Sequence, residues 1–126
     1  MSPRLSPVVR ALIRRHVRSV GELELLIMLH AGRDRSWGVD EICEALACPH
    51  SWAVAQLEAM EGAGLLASAD GRWRFAPVDF ELEEATAALE EAYRLQSREV
   101  LRFVFATPGR DLNEFSDAFR LRREDG

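Results

Sequence analysis

The chain contains no lysine, and all 16 of its basic residues are arginine. This bias is typical of a GC-rich bacterial genome and indicates nothing about mechanism. Cysteine is also scarce: Cys43 and Cys48 lie five positions apart, with no further cysteines at the spacing of a zinc site. We therefore expect both thiols to pack as small apolar groups, and we expect no metal site.

Patterns of membrane insertion and catalysis are missing as well. No apolar run approaches the roughly 18 residues of a membrane span, and no hydrophobic signal segment follows Met1. The three histidines stand singly, and there is no glycine-rich phosphate loop, nucleophile elbow or HExxH motif. We therefore expect a cytoplasmic protein without a membrane span that is not an enzyme and needs no cofactor.

The length allows one compact domain with appended helices. At 126 residues and 48% hydrophobic composition, the chain can bury one core but is too short for two ordinary domains. The net charge of -5 conceals an asymmetry, because residues 1–18 hold five arginines and no acid. We divide the chain into a basic N-terminal helix (1–18), a central domain (19–77), a long C-terminal helix (78–106) and a short amphipathic tail (107–126).

The central domain contains the most informative pattern. Apolar residues recur three and four apart over two stretches, which predicts helices at 39–47 and 49–63. A hairpin is expected at 65–76, because Asp70-Gly71 is a strong turn signal and the following residues alternate polar with aromatic. This order is the outline of a winged helix-turn-helix, a mainly α fold of three helices with a small β-hairpin wing.

Two helices are expected before this unit. An apolar stripe from Val8 to Val17, flanked by arginines, predicts a basic amphipathic helix. This helix would contact a phosphate backbone or bind an acidic partner. Equally, it would be a packing or dimer helix whose arginines are merely solvated. Ser19 and Glu22 have the spacing of a capping box, which predicts a central helix that ends at Gly32.

A long helix is expected after the hairpin, from about residue 80 to 106, with Asp79 as its cap. Its apolar and neutral residues alternate steps of four and three, as in a heptad seam. Such a rod would be roughly 40 Å long, more than packing on the central domain requires, which favours homodimerisation through the seam. The alternative is that the helix folds back along its own domain. The expected dimer contacts are Leu82, Leu89, Tyr93, Val100 and Phe103.

The tail is predicted to contain a short amphipathic helix after the break at 107–109. Leu112, Phe115 and Phe119 would form its apolar face, and arginines end it. This tail would dock into a partner's groove or, as we favour, cover apolar residues 100–105 of its own domain.

The order of the elements resembles that of winged helix-turn-helix transcription regulators of the MarR-like kind. The resemblance covers residues 8–106 by layout, and its motifs are Gly64–Leu66 after the third helix and the Asp70-Gly71 turn. It implies that the second helix of the motif enters the DNA major groove and that the wing touches the backbone or the minor groove. It also implies a dimer formed by the flanking helices, and a ligand crevice to which we assign no residues.

Regulation of transcription by DNA binding is the first hypothesis from this resemblance. The outward face of the second motif helix carries no basic residue, so cations must come from the wing and from the N-terminal helix. The expected contacts with double-stranded DNA are Ser51, Trp52 and Gln56 in the groove, Arg72 and Arg74 on the wing, and Arg10, Arg14, Arg15 and Arg18 on the N-terminal helix.

The alternative hypothesis is a non-enzymatic adaptor that binds another protein. A neutral helix face with an exposed Trp52 between small residues would suit a protein partner, as would Phe115 and Phe119 in the tail. If Trp52 instead packs on the wing or on the N-terminal helix, it offers no such anchor.

Overall fold

The computed structural model describes residues 5–106, which form six helices and one small antiparallel sheet. The coarse prediction of a mainly helical chain with a small β unit is confirmed. The helices are α1 (Pro7–His16), α2 (Val20–Ala31), α3 (Val39–Leu46), α4 (His50–Gly62), α5 (Phe80–Leu95) and α6 (Ser97–Ala106). The strands are β1 (Trp37–Gly38), β2 (Leu66–Ala69) and β3 (Arg72–Phe75).

Local capping sets the start of the helices, as the sequence predicts. The backbone N–H of Glu22 donates to Ser19 Oγ (3.2 Å), while the Glu22 carboxylate accepts from the N–H of Arg18 (2.8 Å). At α5, the N–H of Leu82 donates to Asp79 Oδ1 (2.8 Å). Each cap satisfies a backbone donor that the first helical turn leaves without a partner.

The sheet has the order β1-β3-β2, with β3 in the centre. The β2–β3 hairpin turns at Asp70 and Gly71, which both have positive φ (55° and 73°), as the sequence signal predicts. The sequence gives no sign of β1, in which Trp37 pairs with Trp73. This strand is two residues long and is formed only through a partner 36 positions away, so no local periodicity marks it.

The turn between α3 and α4 is tight. Ala47 ends α3 in the left-handed conformation (φ 54°, ψ 50°), and the N–H of Cys48 donates to the Cys43 carbonyl oxygen (3.2 Å). Pro49 is the N-cap of α4, one position before the helical position that the sequence suggests. Two short helices are thereby joined by three residues.

The prediction of one long helix from residue 80 to 106 is wrong. The chain leaves the helical conformation at Gln96 (φ -145°, ψ 59°), which separates α5 from α6. The break lets α6 pack against both α5 and α1, and it buries Val100 and Val104 completely. Burying each valine contributes about 1.5–3 kcal/mol, which offsets the lost helical continuity.

The core lies where α2 is surrounded by the other elements. Leu23, Leu25, Leu26 and Leu29 of α2 are fully buried, as expected for a helix that is apolar on nearly every side. The hairpin contributes Trp73 and Phe75 to the same core, while the alternating arginines of β3 face solvent.

Candidate interaction surfaces

Arg72 on the hairpin is held by hydrogen bonds within the chain. Its Nε donates to Ser36 Oγ (2.9 Å), and its Nη2 donates to the Ser36 carbonyl oxygen (3.0 Å) and to Glu41 Oε1 (2.9 Å). These bonds tie β3 to the segment before β1 and to the first turn of α3. The guanidinium that the sequence assigns to DNA therefore already has a carboxylate partner.

Glu41 is the centre of this set of contacts. Its carboxylate accepts from the N–H of Gly38 (2.8 Å) and from Arg35 Nη2 (2.9 Å), and the Arg35 guanidinium lies over the ring of Trp37 (3.8 Å to the centroid). The pKa of Glu41 is lowered from its ordinary value, mainly by the Gly38 hydrogen bond and further by Arg35 and Arg72. The Glu41 network, as we name it, comprises Arg35, Ser36, Gly38, Glu41 and Arg72.

The outward face of α4 is small and acidic. Ser51, Ala55 and Ala59 are exposed, as the sequence predicts, and so are Glu58 and Glu61. Segment 36–71, which includes α3 and α4, contains six acidic residues and no arginine or lysine. The acids are Asp40, Glu41, Glu44, Glu58, Glu61 and Asp70. Glu41 is paired with Arg35 and Arg72, and the other exposed carboxylates of α3 and α4 leave negative charge that opposes a phosphate backbone.

Trp52 packs against the start of α2. A Cβ atom added at Gly21 would lie 2.9 Å from Trp52 Cζ2 and 3.2 Å from Cη2, so the ring rests directly on the Gly21 backbone. The side chain is half-buried and belongs to the edge of the core. The packing alternative thus describes Trp52 better than an exposed anchor does, with α2 as its neighbour.

The arginines in and just after α1 have different neighbours. Arg14 lies over the ring of Phe103 on α6, with its guanidinium carbon 5.3 Å from the ring centroid. Arg15 and Arg18 line a cavity of about 150 Å³ together with Gln56 of α4. The structure therefore brings Arg15, Arg18 and Gln56 of the expected DNA contacts together, whereas Arg14 covers an aromatic ring elsewhere.

One arginine of the wing has no hydrogen bond or ion pair among residues 5–106. Arg74 is exposed, and the structure shows no hydrogen bond or ion pair for it within that range. Ser51 is likewise exposed at the first turn of α4. Among the DNA contacts expected from the sequence, Arg74 and Ser51 are thus exposed. Arg72 and Arg14 instead contact other side chains of the protein.

The residues of the heptad seam pack against other helices of the same chain. Leu89 and Val100 are fully buried, while Leu82, Tyr93 and Phe103 are half-buried against the core. α5 packs on α1 and α2, and α6 packs on α5 and α1. The spacing is therefore explained by the alternative that these residues fold back along their own domain.

A groove of about 700 Å³ runs between α1 and the start of α5, and we name it the α1/α5 groove. α1 contributes Arg15 and His16 to it, and the α5 side contributes Asp79, Glu81 and Glu84. Its apolar lining consists of Val8, Ala11, Leu12, Ala63, Val78, Leu82 and Ala85. Basic side chains from α1 and acidic side chains from the α5 side thus border an apolar surface.

One buried polar contact has no signal in the sequence. His30 of α2 is 5% exposed, and its Nδ1 pairs with the carboxylate of Glu90 on α5. The His30 ring also meets Phe75 edge to face, with 5.0 Å between the ring centroids. His30 and Glu90 are 60 positions apart, so only the tertiary fold brings them together.

The two cysteines pack against the core, as expected from the sequence. Both are half-buried and free, and burial together with the neighbouring Cys43 raises the pKa of the Cys48 thiol. A raised pKa keeps a thiol protonated and unreactive. Within residues 5–106 no group of three or more His, Cys, Asp or Glu side chains is placed to hold a metal ion.

Neither family models, curated proteins nor solved structures yielded a match to this chain. The MarR-like resemblance therefore stays a hypothesis based on layout. Phe115 and Phe119 lie outside the described residues, and so do the other tail residues. No helix within residues 5–106 has both the length and the apolar character needed to cross a membrane.

Proposed function

We propose that this chain is a non-enzymatic winged helix-turn-helix module that binds another protein through the exposed surface of α3 and α4. The order of elements supports the winged-helix assignment, since a central helix, a short strand, two helices joined by a tight turn and a hairpin follow one another. The three-stranded sheet places the hairpin beside the start of α3. Fold alone names no partner, so the argument for a protein rests on charge.

The Glu41 network is the observation that supports a protein partner over DNA. A winged helix that reads DNA needs cations on the wing and beside the recognition helix to contact phosphates. Here Arg72 is paired with Glu41, and the exposed acids of α3 and α4 include Asp40, Glu44 and Glu58. Such a surface attracts a basic protein surface and repels nucleic acid.

Site-specific photo-crosslinking in the native host tests this proposal. A photoreactive amino acid at Ala55, which is exposed on α4, should form an adduct with one defined protein. The same group at Ala87, which is exposed on α5, is the matched control and should not. The Glu58→Arg variant should lose the Ala55 adduct. Equal labelling from both positions, or an adduct that survives Glu58→Arg, would contradict the proposed surface.

DNA binding remains the second candidate function, because one group of residues supports it. Arg15 lines a cavity with Gln56 of α4, and Arg74 is exposed on β3, whose partner strand β2 packs on α4. This arrangement would place phosphate contacts at the end of α1 and on β3. It requires that the exposed carboxylates of α4 lie away from the phosphates.

A further inference from the structure

The α1/α5 groove leaves large apolar side chains uncovered. Val78 is 73% exposed and Val8 is 50% exposed, and both line the groove. Phe80, the first residue of α5 and two positions after Val78, is 66% exposed. A cluster of exposed apolar side chains around a groove indicates a surface that is covered by another segment or molecule.

We propose that the occupant of this groove is the C-terminal segment of the same chain, residues 111–123. The proposal is independent of whether the α3 and α4 surface binds a protein. It assigns to the groove a peptide-like ligand with an apolar face and a basic end, and this chain carries such a segment itself.

The position of α6 brings that segment within reach. Phe103 of α6 contacts Arg14 near the end of α1, and the groove residues Arg15 and His16 lie at the same end of that helix. Ala106 is the last described residue of α6, and α6 is packed beside α1. Five residues separate Ala106 from Leu112, and an extended linker of that length covers about 15–20 Å. Because the segment is tethered, its effective concentration is on the order of millimolar, and even weak docking would fill the groove.

The chemistry of the segment complements the groove. Leu112, Phe115 and Phe119 follow the three-and-four spacing of one helical face, which suits an apolar groove floor. Three acids lie in the first part of the segment, at 111, 114 and 117, and its only basic residues are clustered at 120–123, while the α5 side of the groove is acidic from Asp79 to Glu84. Residues 75–93 contain no arginine or lysine that would neutralise this acidic wall. The basic cluster consists of Arg120, Arg122 and Arg123.

Chymotrypsin digestion of the full-length protein tests the docking, because cleavage after Phe115 and Phe119 requires the segment to be released. We expect the double variant Glu81→Arg/Glu84→Arg to be cleaved at these sites about tenfold faster than the wild type, since cleavage follows the population of the open form. Reversing the three tail arginines to glutamate in the same chain should restore protection. Fragment masses identify the sites of cleavage.

The matched control is Asp40→Arg/Glu44→Arg, which makes the same charge change on α3, with Asp40 at the corresponding first turn. It should leave the cleavage rate at Phe115 and Phe119 unchanged. The proposal is overturned if the wild type is cleaved as fast as the groove variant, or if the control accelerates cleavage equally. Protection that rises with protein concentration would place the segment in a second copy, which also overturns the intrachain proposal.

Discussion

Ala47 carries backbone strain at the turn between α3 and α4. A residue with a Cβ atom pays about 1–2 kcal/mol in the left-handed conformation, whereas glycine adopts it freely. Glycine also raises the entropy of the unfolded chain, which reduces the stabilisation by about 0.4–1 kcal/mol. We therefore expect Ala47→Gly to increase the free energy of unfolding by about 0.5–1 kcal/mol in urea denaturation. The control Ala45→Gly, at an exposed position inside α3, should lower it by about 1 kcal/mol. A loss of stability from both changes would contradict the left-handed turn.

The contribution of Glu41 to the stability of the fold depends on pH. Its pKa is lowered in the folded chain, so its contribution to stability is present above the ordinary pKa of 4.5 and is lost as the pH falls through the lowered value. We expect an NMR titration to find the Glu41 pKa below 4.5. Arg35→Ala/Arg72→Ala should raise it only in part, because the Gly38 N–H still donates to the carboxylate. An identical pKa in the wild type and the double variant would show that the arginines do not act on it.

At the scale of elements, the seam of α5 and α6 distinguishes internal packing from dimerisation. Leu89 is fully buried between α5 and its neighbours, so we expect Leu89→Ala to lower the free energy of unfolding by about 2–5 kcal/mol. The unfolding midpoint of both proteins should not change over about a hundredfold range of protein concentration, because no subunit contact is lost. A midpoint that rises with concentration in the wild type, and not in the variant, would favour the heptad dimer.

The elements that the sequence predicts are those with local causes. Ser19 and Asp79 cap helices through neighbours three positions away, and the Asp70-Gly71 turn needs only its own two residues. The break at Gln96 could not be predicted in this way, since the heptad spacing continues through it. We attribute it to the packing of α6 on α5 and on α1, about 90 positions away in the chain, which buries Val100 and Val104. Tertiary burial overrides helical periodicity there.

In the candidate site, too, features with local causes could be predicted from the sequence and tertiary contacts could not. The exposed positions of α4, such as Ser51 and Ala55, follow from helical periodicity alone. The partners of Arg72 could not be inferred, because Ser36 and Glu41 are more than 30 positions away and meet it only through the sheet. The contact of Trp52 with Gly21 could not be inferred either, because the sequence predicts the two helices but not how they pack on each other.

At the scale of the whole molecule, the distribution of charge is the basis of the proposed protein-binding function. The arginines of α1 and β3 lie outside the segment that holds α3 and α4, and that segment is acidic throughout. Glu58 and Glu61 are exposed on α4, so a phosphate backbone along that surface would meet their negative charge. Replacing Glu58 and Glu61 with arginine should therefore create salt-dependent binding to DNA where the wild type has none.

The most direct test is the fluorescence anisotropy of a labelled mixed-sequence duplex, titrated with the wild-type protein at low ionic strength. The account predicts no rise in anisotropy for the wild type and a rise for Glu58→Arg/Glu61→Arg that disappears as salt is added. Wild-type binding that weakens steeply with salt, and that is reduced for all duplex sequences by Arg15→Ala/Arg74→Ala, would contradict the protein-interaction proposal and establish DNA binding in its place.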